Sequence, residues 1–119
     1  MALKLSARQQ AQIGFLQTLP PKFSRIKNIV EQMAALRADE TTVRALGRIL
    51  DETRANAQAF SLGGIADTCG LMSTMARRGG GLQMKVRGLR ELLGSLQVNY
   101  EGALRAASIP EEPEEVTPP

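Results

Sequence analysis

The sequence has no histidine and no tryptophan, a single cysteine at position 69, and only three phenylalanines and one tyrosine. Without imidazole, the commonest general base and the commonest metal ligand are both missing, and a lone thiol with no imidazole partner is a poor nucleophile. No catalytic residue, metal site or cofactor is therefore expected, and the chain is not expected to be an enzyme. One cysteine cannot close an internal disulfide, which fits a reducing compartment. No apolar run approaches the ~20 residues of a membrane span, and the opening MALKLSARQQ lacks the apolar core of a signal peptide. These absences predict a soluble, cytoplasmic protein with no membrane insertion. Scarce aromatics also mean that the core is built from Leu, Ile, Val, Met and Ala, which suits helix-on-helix packing better than a sandwich.

What is present is charge, unevenly placed. Fifteen Lys and Arg face twelve acids, but four of those acids, Glu111, Glu112, Glu114 and Glu115, fall in the acidic, Pro-rich stretch PEEPEEVTPP. That stretch predicts a disordered tail over residues 109–119. The remaining 1–108 form one domain, with fifteen cations against eight acids. Such a field favours acidic partners: an acidic protein pocket, nucleic acid or an anionic surface.

Helical periodicity runs through the body. Leu5 to Leu19 carries a blurred apolar pattern that stops at Pro20 and Pro21. From Pro21 the set Phe23, Ile26, Val30 and Met33 repeats by threes and fours, predicting a helix to about Arg37. Asp39 can cap the next helix, whose apolar face starts with Val43, Leu46, Ile49 and Leu50. Nothing breaks that helix before Gly63, yet its apolar side swaps to Ala55, Ala59, Leu62, Ala66 and Cys69. Either it is interrupted near Asp51 or its two halves pack on different neighbours. Gly70 is expected to end this region, LMSTMARR to form a short helix, and Gly79, Gly80 and Gly81 to break it. Leu82, Val86, Leu89, Leu93, Leu96, Tyr100, Ala103 and Ala107 then step by four and three along one long seam. Asp51 and Glu52, adjacent on a helix, point ~100° apart and suit solvation better than acid/base chemistry. Cys69 is most simply a buried small hydrophobe.

The central stretch AFSLGGIADTCGL resembles the signature of histidine-containing phosphotransfer (HPt) domains, roughly A-H-x-L-(K/A)-G-x-(A/S)-x-x-x-G. Ala59, Leu62, Gly64, Ala66 and Gly70 match it in register, while MARRGGG and LRELLGSLQVNYEGAL resemble the family's later helix, turn and closing helix. The resemblance implies an all-α, antiparallel four-helix bundle, here with an extra N-terminal helix. It also implies a bacterial two-component phosphorelay and, as partner, a response-regulator receiver domain or a histidine kinase. Phe60 stands where the phospho-accepting histidine belongs, and phenylalanine has no nucleophilic atom. A pseudo-phosphotransfer protein is expected, one that modulates the relay by binding without carrying phosphate. Its docking patch would be Asn56, Ala57, Phe60, Gly63, Gly64 and Asp67, one helix face at steps of three, four and seven around a partly exposed Phe60. The competing expectation is that Phe60 turns into the core.

Two other function classes compete. A basic helical module could contact nucleic acid through Arg44, Arg48, Arg54, Arg77, Arg78, Arg87 and Arg90, although no helix-turn-helix or finger signature and no base-stacking aromatics accompany them. A structural, self-associating helical adaptor is the third.

Overall fold

The computed structural model describes residues 4–111. The acidic stretch from Glu112 onward lies outside them, so the expected tail is represented here only by its first residues. The described chain is an all-α bundle with no strand: α1 (Ala7–Leu16), α2 (Leu19–Ala34), α3 (Glu40–Ala59), α4 (Gly63–Arg77) and α5 (Leu82–Ser108). Helices α2 to α5 form an antiparallel ring in which each packs on the next and α5 returns to α2, while α1 lies mainly against α5. The molecule is elongated, 63 × 26 × 19 Å.

Local chemistry sets most helix starts. Ser6 accepts from the Gln9 backbone N–H at 3.0 Å while the Gln9 side chain accepts from the Ser6 N–H at 3.0 Å, a capping box that starts α1. Asp39 caps α3 as expected, accepting from Thr42 N–H at 2.8 Å. Pro20 and Pro21 do not end a helix that runs to Leu19; α1 stops at Leu16, and Leu19 opens α2 with both prolines in its first turn, where their missing N–H groups cost nothing.

The core runs the length of the bundle. Leu16, Leu19, Ile26 and Val30 meet Leu46 and Leu50 of α3, Ile65, Cys69 and Met72 of α4, and Leu89 and Leu96 of α5, all essentially without solvent contact. On α3 the apolar face does not swap, and no interruption occurs at Asp51. Leu46, Leu50, Thr53 and Ala57 form one continuous buried stripe, and Ala55 and Ala59 face solvent. Thr53 joins the stripe because its hydroxyl donates to the Ile49 carbonyl at 2.8 Å, so its polarity is satisfied inside the helix.

The larger departure is at the end of α3. The helix stops at Ala59, Phe60 is its C-cap, and Ser61 adopts φ +59°. Ser61 N–H bonds to the Gln58 carbonyl and Leu62 N–H to the Ala57 carbonyl, the paired bonds of a Schellman turn, with Leu62 and Ala57 both buried beneath it. The chain reverses there, and α4 runs back along α3, continuing through Gly70 to Arg77. Gly70 therefore does not end a helix; it lies beside α3, with the Arg54 side chain 3.3 Å from where a Cβ would stand. Asp51, expected to be merely solvated, bridges the pair. Its carboxylate accepts from Ser73 Oγ at 2.7 Å and pairs with Arg77.

A matching turn ends α2. Leu36 N–H bonds to Met33 O and Arg37 N–H to Gln32 O, which puts Leu36 at φ +59°, a position that favours glycine. Its side chain is 79% exposed.

Two outcomes follow. Leu36→Gly should stabilise the fold by about 0.5–1 kcal/mol, because relief of the left-handed leucine outweighs the extra freedom of glycine in the unfolded chain and almost no buried surface is lost; chemical denaturation would measure it. The hydrogen bonds and charge of Arg77, with the Ser73 hydroxyl, hold Asp51 below its ordinary carboxylate range. Its folded pKa is thus lower than its unfolded one, so its stabilisation is complete above about pH 4 and is lost as pH falls through the folded value. Glu31, paired with Arg90, and Asp39, bonded to Thr42, are lowered too and act in the same direction, the loss for Glu31 beginning from its ordinary value of 4.5. Melting temperature should fall on acidification below about pH 4, and Asp51→Asn should flatten that fall.

Candidate functional site

The residues singled out in the sequence gather at the α3–α4 turn, in a different arrangement from the single helix face expected. Phe60 is half-buried, and its ring stacks on Phe15 of α1 with centroids 5.0 Å apart and planes 13° from parallel. Its carbonyl accepts from the Gln12 side chain at 2.9 Å. Phe60 is thus both a cap on α3 and a contact for α1. The ring is partly exposed, as expected, and it also packs against the core, so the competing placement wholly inside the core does not describe it.

Ala57 leaves the patch: it has no solvent contact because it packs beneath Leu62 in the turn. Asn56 stays exposed one turn before Phe60, whereas Gly63, Gly64 and Asp67 are exposed on α4, beyond the reversal. Steps of three, four and seven no longer relate them to Phe60, because the helix that would carry those steps ends at Ala59.

A different surface replaces the expected one. Gly63 and Gly64 border a shallow groove against α5, closed on the far side by Val98, Asn99 and Gly102. A Cβ at Gly63 or Gly102 would meet nothing within 4 Å, so backbone is open to close approach at both. Asn99 fixes the groove wall by donating to the Gly64 carbonyl at 3.0 Å and to Thr68 Oγ1. Val98 is 67% exposed. Sequence periodicity placed Asn99 and Val98 merely off the α5 seam; nothing in their spacing signals contact with α4, because that contact depends on where α3 turns back.

Two buried glutamines, also unmarked in the sequence, tie α1 to this end. Besides the Gln12 bond to Phe60, Gln9 donates to the carbonyls of Ile109 and Ala106, at 2.5 and 3.5 Å, satisfying the C-terminus of α5. Both are almost solvent-free. Their polar atoms are accounted for, and among the described residues no buried side-chain nitrogen or oxygen lacks a partner.

Titratable chemistry is sparse. Burial pushes the Cys69 thiol up to about 12, so it stays protonated near neutrality. Among the described residues no group of three acidic, cysteine or histidine side chains is placed to hold a metal ion. Of the seven arginines considered for nucleic acid, Arg44, Arg77 and Arg90 are paired with Glu40, Asp51 and Glu31. Arg54 lies over Gly70 on the α3–α4 face and, like Arg77, acts on the Asp51 carboxylate. No helix of the described chain is long and apolar enough to cross a membrane.

No family model, curated protein or solved structure matched this chain.

Cys69 should resist iodoacetamide in the native state at pH 8 and react at the rate of a free thiol once the chain is unfolded in guanidinium. Mass spectrometry of the two time courses would check this, and rapid native labelling would show that α4 opens readily.

Proposed function

We propose that this chain is a non-catalytic docking module that binds a receiver domain or a histidine kinase of a bacterial, cytoplasmic two-component relay. It acts by occupancy, since Phe60 offers no atom that could take a phosphoryl group. The observation that supports this reading best is the surface beside the α3–α4 turn: exposed backbone at Gly63 and Gly102, the exposed Val98, and the half-buried Phe60 nearby. Small residues around larger apolar side chains allow a partner helix to approach closely, and burial of an aromatic anchor there is a large source of affinity. The docking residues under this proposal are Asn56, Phe60, Gly63, Gly64 and Asp67, with Val98 and Gly102 added and Ala57 removed. A net positive body suits the acidic phosphorylation pocket of a receiver.

Titration calorimetry against purified receiver domains and kinase dimerisation domains from the same genome tests it, and failure to bind any of them would overturn it. Gly63→Arg should cut binding at least tenfold and leave melting unchanged, because the new side chain points into open space. Phe60→Ala should lose affinity and also about 1.5–3 kcal/mol of stability, less than a fully buried ring but more than an exposed one, because it removes the stack on Phe15. Affinity unchanged in both variants would exclude this surface. Duplex DNA binding with a steep loss on added salt would favour the nucleic-acid alternative instead. Concentration-dependent sedimentation without a partner would favour the self-associating adaptor.

A further inference from the structure

We propose that the groove where the end of α2 meets the first turns of α5 is a docking site for a short acidic, leucine-bearing segment of a partner protein. It lies at the other end of the bundle from Phe60 and is independent of the surface beside it. Ala34, Leu36, Leu82 and Val86 give the groove its apolar lining, and Gln83, Arg87, Arg90 and Glu91 its polar one.

Leu36 is the observation that points to a ligand. It occupies the left-handed position of a helix-ending turn, where leucine is disfavoured and glycine is usual. Its side chain is mostly in solvent, so core packing does not compensate. Neither the turn nor the core accounts for a leucine there. Leu82, the first residue of α5, faces the same groove, and at 37% exposure it leaves the buried seam that its heptad position predicts.

Charge selects the partner's chemistry. Residues 27–48 and 74–91, which build this end, hold nine Lys and Arg against four acids; the rest of the described chain holds six against five. Within the groove, Glu91 is also present and Glu31 pairs with Arg90. The local excess therefore comes from Arg87 and from Arg37 beside Leu36, which form no ion pair among the described residues. Arginine forks beside an apolar lining match carboxylates set beside leucines, as on one face of an acidic amphipathic helix. Nucleic acid fits less well, because half of the lining is apolar and the stacked or edge-packed aromatic pairs, Phe15–Phe60 and Phe23–Tyr100, involve no residue of the groove. A bilayer also fits less well: the start of α3, three residues beyond Leu36, carries Asp39 and Glu40, with the Asp39 carboxylate held ionised by Thr42.

The test is selection of a helical peptide-display library on the whole chain, with binders measured against wild type, Leu36→Gly, Arg87→Glu and Gly63→Arg. Enriched sequences should be acidic with leucine or isoleucine at three- and four-residue steps. Leu36→Gly should weaken them at least tenfold while its melting temperature rises, so misfolding cannot explain the loss. Arg87→Glu should weaken them similarly, and Gly63→Arg should bind as wild type, which separates this site from the surface beside Phe60. Enrichment of neutral or basic peptides, no enrichment, or undiminished binding by Leu36→Gly would overturn the proposal. So would binding of phosphatidylserine vesicles or duplex DNA in place of the peptides, lost in those two variants.

Discussion

Everything at the candidate site depends on α3 ending at Ala59. A helix that continued through the small residues beyond Phe60 would meet no steric obstacle, since Ser61, Gly63 and Gly64 are tolerable in a helix and Leu62 is favourable. The reversal wins because it is supported from three directions. Ser61 accepts a left-handed backbone, Leu62 folds down over Ala57, and Gln12 and Phe15 of α1 reach across to the Phe60 carbonyl and ring. The first two are local. The third comes from residues more than forty positions earlier, and it converts a possible turn into the one that sets the α3–α4 hairpin.

The architecture was therefore more legible than the site. The all-α bundle, the Asp39 cap, the break at Gly79 to Gly81 and the long seam of α5 all follow from periodicity and capping chemistry, which act over one or two turns. The misplaced features have two causes. Thr53 looks polar in a one-letter sequence but buries its hydroxyl against Ile49, so a continuous face resembled two; Gly70 looks like a stop signal but is a close contact for Arg54. The Thr53 hydroxyl is satisfied within α3 itself, whereas the place of Gly70 is set by the neighbouring helix, of which sequence spacing contains no record. The patch around Phe60 inherited the error, because a helix face is defined only while the helix lasts.

Polar groups divide the work along the rod. At the Phe60 end, Gln9 and Gln12 are buried and neutral, and they satisfy backbone carbonyls that the helix termini leave open. At the opposite end the polar groups are exposed arginines and carboxylates, whose ion pairs remain partly hydrated and contribute little to folding. One end is held by hydrogen bonds that exclude water; the other presents charge to it.

The bond from Gln9 to Ile109 also bears on the order in which the bundle assembles. It joins residues 100 apart in sequence, whereas α3 and α4 meet across a three-residue turn and α4 and α5 across a four-residue one. By the logarithmic law for loop closure, a span of that length costs about 3 kcal/mol more chain entropy than a turn of three or four residues. Contacts of low sequence separation form first when their closure is this much cheaper. The three consecutive helices α3 to α5 thus form the early framework, and α1, joined to it through the most distant contacts, seals the bundle last.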